Sequence, residues 1–151
     1  MVEVIVVLVI LAIAAVIVVP RLGNTKDQEV LSATRTLEHD LRYAQDMAIT
    51  YRNPVTVTFT KDSESYSLSY ASGPLIHPIT KASYTVQFSA KNYTGRVELF
   101  SAEFGDDDDE TVTFDETGSP DNSGTVELRA GDFRFQVQVA AFTGKLTVSR
   151  P

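Results

Sequence analysis

The chain has 151 residues, a formal net charge of −7 and a pI near 4.7, and its length suits one globular domain with an appendage. A negative field of that size opposes non-specific attraction to DNA or anionic lipid head groups. The absence of cysteine excludes thiolate zinc sites and a cysteine nucleophile, and two histidines, His39 and His77, leave little material for metal or acid–base catalysis.

From Val4 to Val19 every residue is Val, Ile, Leu or Ala. Such a run is apolar all round, so it must be buried in lipid or among other helices, and its length is at the short end of what spans a bilayer. A signal peptide fits poorly, because the run leads into Pro20-Arg21-Leu22 without a small-residue cleavage pattern. Glu3 at its head is the informative residue. A carboxylate at the edge of an apolar helix is costly unless paired, so its default meaning is functional. Pro20 lacks an amide hydrogen and Gly23 is a weak helix former, so a bend or unwinding is expected around residues 16–23.

A second, amphipathic helix follows over residues 25–53. Val30, Leu37, Leu41, Ala44, Ala48 and Tyr51 form its apolar face; Arg35, Glu38, Asp40, Arg42 and Asp46 suit a solvated one. Thr25 or Asp27 is expected to cap its start, and Asn53-Pro54 ends it. His39 is read as a surface side chain.

After Pro54 the period changes to two. Val55, Val57 and Phe59 alternate with threonines, and Tyr66, Leu68 and Tyr70 make the returning strand beyond a turn at Lys61–Glu64. Residues 72–78 read as a loop. Further strands are expected at 84–89, 97–103, 111–114, 125–130 and 133–140, with a closing strand from Lys145 to Thr147, separated by turns at 116–118, 122–124 and 130–132. The fold class is α+β: a long N-terminal hydrophobic helix, then an antiparallel β-sandwich-type head over residues 54–151 with seven or eight strands.

Met1-Val2-Glu3-Val4, the aliphatic run and Pro20 resemble the N-terminus of type IV pilins and type II secretion pseudopilins. Leu37-x-x-Asp40-Leu41-Arg42-Tyr43-Ala44, Asn53-Pro54-Val55, Val112-Thr113-Phe114-Asp115-x-x-Gly118, Phe135-x-Val137-x-Val139 and Thr143-Gly144-Lys145-Leu146-Thr147-Val148 are similar to the GspH/FimT-like branch. The resemblance covers most of the chain and is weakest between residues 73 and 109. It implies a structural subunit of a type IV pilus-like extracellular filament, or a minor pseudopilin of a type II secretion system. Residues 1–24 would form the filament core, with Glu3, Val4, Leu8, Leu11, Pro20 and Gly23 as assembly residues and Glu3 pairing with a neighbour's N-terminal amine. It further implies a helical homopolymer, residence in the inner membrane before assembly, and a place in an extracellular filament or periplasmic pseudopilus afterwards. Processing by prepilin peptidase and dependence on pilus or secretion assembly machinery follow too, with a leader and up to two mature residues preceding this numbering.

Three further features admit binding readings. Gly105-Asp106-Asp107-Asp108-Asp109-Glu110 is a carboxylate run that could hold Ca²⁺, but it lacks the alternation, central glycine and distal glutamate of a calcium loop, and a solvated loop is the preferred reading. No other cofactor is expected. Some minor pilins of the branch take up DNA through a basic C-terminal surface; here Arg129, Arg134, Lys145 and Arg150 are the candidates, and their spread in an acidic head argues against nucleic acid. Asn92-Tyr93-Thr94 matches a glycosylation acceptor, a short and common pattern. Neither a nucleophile elbow nor a phosphate loop is present, so the chain is not expected to be an enzyme.

Overall fold

In the computed structural model, residues 2–18, 25–88, 97–105 and 109–151 are described, with side chains up to residue 13 in the first helix and from residue 26 in the second. Helix α1 spans Val2–Val18 and helix α2 Thr25–Tyr51. Strands β1 (Val55–Thr60), β2 (Ser65–Tyr70), β3 (Gly73–Pro74), β4 (Thr85–Gln87) and β6 (Thr111–Phe114) make one antiparallel sheet. Strands β5 (Glu98–Phe104), β7 (Gly124–Ala130), β8 (Phe133–Val139) and β9 (Leu146–Ser149) make a second, in the order β5-β7-β8-β9. The architecture is α+β, as the change of period at Pro54 requires.

Threonine alternation in β1 turns Val55, Val57 and Phe59 inward, and β6 adds Val112 and Phe114 in register with Val57 and Val55. The second sheet contributes Val126, Leu128, Ala130, Val137 and Val139. Helix α2 lays Val30, Ala33, Leu37, Leu41, Ala44 and Ala48 across both sheets, touching β1 and β6 on one side and β7, β8 and β9 on the other. The Phe59 and Phe104 rings meet at 5.7 Å, joining the two sheets. One continuous core results.

Several sequence expectations need correction. Nine strands occur among the described residues, because residues 72–78 contain β3, held against Ser69 and Tyr70. The expected strand at 84–89 is shorter, at Thr85–Gln87, and the closing strand lies later, at Leu146–Ser149. Tyr51, placed on the apolar face, is 64% exposed: α2 ends there, and Arg52 turns the chain through φ 47° toward β1. Asp27 is no cap; it lies inside the first turn of α2 and its carboxylate accepts the Arg150 guanidinium from the far end of the chain. Asp40, placed on the solvated face, is buried. The expected bend at Pro20 and Gly23 and the acceptor Asn92-Tyr93-Thr94 lie outside the described residues.

Candidate assembly site

Helix α1 is built from Val, Ile, Leu and Ala, and its only charge is Glu3 in the first turn, where a carboxylate suits the positive end of the helix dipole. Its large apolar side chains from Val2 to Ile13 are each between 51 and 75% exposed, so no face is covered. Val4, Leu8 and Leu11 lie on this uncovered surface. Seventeen residues rise about 25 Å, less than the roughly 30 Å of a bilayer's hydrocarbon, and among the described residues no helix is long and apolar enough to cross a membrane. Such a surface in water is a strong site for association.

Besides the Asp27–Arg150 pair, two polar devices among the described residues join helix α2 to the head. The buried Asp40 carboxylate accepts the Tyr66 hydroxyl from β2 at 2.6 Å and the Tyr84 hydroxyl at 2.9 Å. A buried charge needs such donors, and these bind the helix to β2 and to the 75–84 loop. The ring of Tyr84 lies against Tyr43 and His77, and His77 Nδ1 accepts the amides of Ile79 and Thr80. Burial, then the adjacent Asp40 charge, pushes the Tyr84 hydroxyl's pKa above its ordinary 10.0. A folded value above the unfolded one gives stability that is complete below about pH 10 and is lost as pH rises through the folded value. Alkaline denaturation is therefore expected to be shallower in Tyr84→Phe than in the parent; equal slopes between pH 9 and 12 would contradict the assignment.

The second device is Gln45. Its Nε2 donates to the Gly118 carbonyl at 2.7 Å and to the Thr143 carbonyl at 3.2 Å, so one helix side chain ties together two turns of the head. The first turn is shaped by Asp115, whose Oδ1 accepts the Thr117 hydroxyl and the Ser119 and Thr117 amides; these bonds hold its carboxyl below the usual range. The motifs Asp115-x-x-Gly118 and Thr143-Gly144, far apart in sequence, thus meet on α2. Sequence reasoning passed over Gln45 because a polar residue beside an apolar stripe looks merely solvated.

The four candidate phosphate-binding cations do not form an open patch. Arg129 pairs with Glu98 at 2.7 Å, Arg134 with Glu127 at 3.2 Å and Arg150 with Asp27, and both Arg129 and Arg134 lie over the Phe100 ring. Lys145 sits apart, in the turn before β9. Of the acidic run, Asp109 is held by backbone pairing with Phe104, while Asp106, Asp107 and Asp108 lie outside the described residues. Among the described residues no three His, Asp or Glu side chains converge as metal ligands. His39 is 79% exposed, beside Asp40.

Residues 33–144 match the family of the type II transport protein GspH. No curated protein matches the chain in sequence. Among solved structures the chain is similar to the minor pseudopilin EpsH of the Vibrio cholerae type 2 secretion system, with a TM-score of 0.62 and 15% identity over 82% of this chain and 98% of that one. A second EpsH structure gives a TM-score of 0.63 at 14% identity, covering 83% of this chain and 96% of that one. The type IV minor pilin FimU of Pseudomonas aeruginosa is similar at a TM-score of 0.57 and 21% identity, over 81% of this chain and 89% of that one. At such identities the likeness is one of fold.

Proposed function

Because the chain belongs to the type II transport protein GspH family, we propose that it is a structural, non-catalytic subunit of a pilus-like filament whose copies join through α1. The observation that carries this reading is a helix apolar on every side with one acid at its start. Burying each Val, Leu or Ile side chain against a neighbour contributes roughly 1.5–3 kcal/mol, so some ten such residues per copy suffice to hold a polymer without covalent links. Residues 1–24 are the filament core, with Pro20 and Gly23 among its assembly residues; residues 25–53 carry on to a two-sheet, sandwich-type head. Glu3 sets axial register by pairing with a neighbouring copy's N-terminal amine. Before assembly the chain resides in the inner membrane, and prepilin peptidase and the assembly machinery bring it into the filament. Ca²⁺ binding by the acidic run Asp106–Asp109 is the lesser of its two readings.

A minor pseudopilin of a type II secretion system is the second reading, supported by the same family membership and by the EpsH-like fold. A DNA-binding tip subunit finds less support, since Arg129, Arg134 and Arg150 already hold carboxylates.

Glu3→Ala and Glu3→Gln test the reading. Truncating one partner of a desolvated charge pair costs about 2–5 kcal/mol, so the sedimentable filament should fall at least tenfold. The head's melting temperature should stay unchanged. Parental filament yield from Glu3→Ala would overturn the register role, and α1 lying singly in lipid, with no contact between copies, would overturn the reading as a whole.

A further inference from the structure

The tip of the β8–β9 turn carries an unusual residue. Phe142 is 87% exposed and sits at φ 63°, a left-handed backbone that disfavours bulky side chains and that glycine adopts freely. The turn is closed around it by the Gly144 amide on the Ala140 carbonyl and the Ala140 amide on the Lys145 carbonyl, both at 3.0 Å. Strain retained to hold an aromatic ring in solvent is a pointer to contact.

A matching feature lies on the opposite flank of α2. Met47, Tyr51, Tyr70, Pro74, Leu75 and Ile76 line a groove of about 500 Å³, with Tyr51 and Ile76 half or more exposed. Tyrosine and methionine are typical of interface cores. The turn bearing Phe142 is bound at Gln45, and Met47 and Tyr51 are displaced from Gln45 and Ile49 by two residues each, roughly 200° around the helix. Knob and groove therefore cannot meet within one molecule, nor form a two-fold contact in which each patch faces itself. They suit a heterologous contact that repeats from copy to copy.

Charge selects the same pair. Copies bearing a net charge of −7 repel one another, and approach costs least where neither desolvates a carboxylate. Among the described residues none that lines the groove is charged, and neither is any residue from Ala140 to Gly144. One aromatic ring buries only about 150–250 Å², against the 1,200–2,000 Å² of a stable interface. The contact must therefore close between copies already gathered by other means, which is what α1 supplies.

We propose that Phe142 of one copy docks into the Met47–Tyr51–Tyr70–Ile76 groove of the next, a heterologous contact between globular heads that propagates along the assembly; this rests on the reading of α1 as the assembly element.

The test uses the 151-residue chain with α1 in place, which has no cysteine of its own. Differently tagged Ala141→Cys and Ser72→Cys chains, exposed positions beside Phe142 and in the groove that leave Phe142 and Ile76 in place, are co-assembled and treated with a short bismaleimide cross-linker. Hetero-tagged dimers should form at about tenfold the yield of Ala141→Cys paired with Thr125→Cys, a control on the second sheet. In Phe142→Gly, removal of backbone strain should raise the head's melting temperature slightly, whereas sedimentable polymer should fall about tenfold, the effect of one lost anchor contact. A purely structural Phe142 would move only the first readout. Cross-linking no better than the control, parental polymer yield in Phe142→Gly, or cellular capture of the groove cysteine by a different subunit and not by this chain, each overturns the docking. If those results come with Glu3→Ala still abolishing assembly, only the docking fails. A parental chain that stays monomeric overturns both.

Discussion

Asp40→Ala is expected to destabilise the head by about 3–5 kcal/mol, because it strips two buried tyrosine hydroxyls of their common acceptor and leaves a void beneath α2. Each orphaned hydroxyl carries a desolvation penalty of about 1–3 kcal/mol. For a domain of this size that corresponds to a fall in Tm of roughly 10–20 °C. Asp40→Asn should lie between parent and alanine, since the amide keeps one acceptor oxygen for Tyr66 or Tyr84 but brings two donors that need partners of their own. The discriminating variant is the apolar triple Asp40→Leu, Tyr66→Phe, Tyr84→Phe. It removes acceptor and donors together, so it should recover much of what Asp40→Ala loses. Urea denaturation followed by near-ultraviolet circular dichroism separates these cases. An Asp40→Ala chain within about 1 kcal/mol of the parent would mean the carboxylate is not the tie between α2 and the 75–84 loop.

Gly144→Ala is expected to cost about 2–4 kcal/mol by a different route. At φ 60° an L side chain is strained by roughly 1 kcal/mol or more, and a Cβ there would lie 2.6 Å from Gln45 Nε2 and 3.0 Å from the Gly118 carbonyl oxygen. Gln45 can swing away, but then the carbonyls of Gly118 and Thr143 lose their donor, each bond contributing about 0.5–1.5 kcal/mol. Gln45→Ala alone should cost only about 1–2 kcal/mol by the same measure. The two changes should be sub-additive, because the methyl group introduced by Gly144→Ala has already displaced the glutamine. Full additivity in a double-mutant cycle would show that the glycine acts through its backbone alone and that the clamp does not join the two turns.

The elements of the head were legible because alternation is a local property. Val55, Val57 and Phe59 against their threonines state which side is inward without reference to any partner. Partnership is another matter. β6 lies between β5 and β7 in sequence, yet it pairs with β1 in the other sheet, Val57 opposite Val112. Alternation fixes the face a residue takes and is silent on which strand lies beside it. The two-residue β3 is too short to leave any periodic trace. Phe100 falls at the register shift between Leu99 and Ser101, which brings its ring under Arg129 and Arg134. The cations themselves were visible, but their neutralisation was not, since Glu98 and Arg129 stand 31 residues apart.

Asp40 shows where residue-type reasoning goes astray. Steps of three and four from Leu37 and Ala44 place position 40 on the buried stripe, and the charge argued the other way. The period was the better guide, because the cost of burying a carboxylate depends on which donors reach it, and both came from beyond Tyr51.

What the sequence by itself determined is the chemistry of α1: an unbroken aliphatic surface with one acid at its start follows from composition and helix geometry, whatever the head does. It also determined the helix and most of the strands, whose periodicities are local. The tertiary structure alone decided that Asp40 is buried and satisfied, that Gln45 ties the Gly118 and Gly144 turns together, and that Phe142 and the Met47–Ile76 groove lie on opposite flanks of one helix. Each of these depends on groups distant in the chain meeting within a few ångströms, and periodicity carries no record of such meetings.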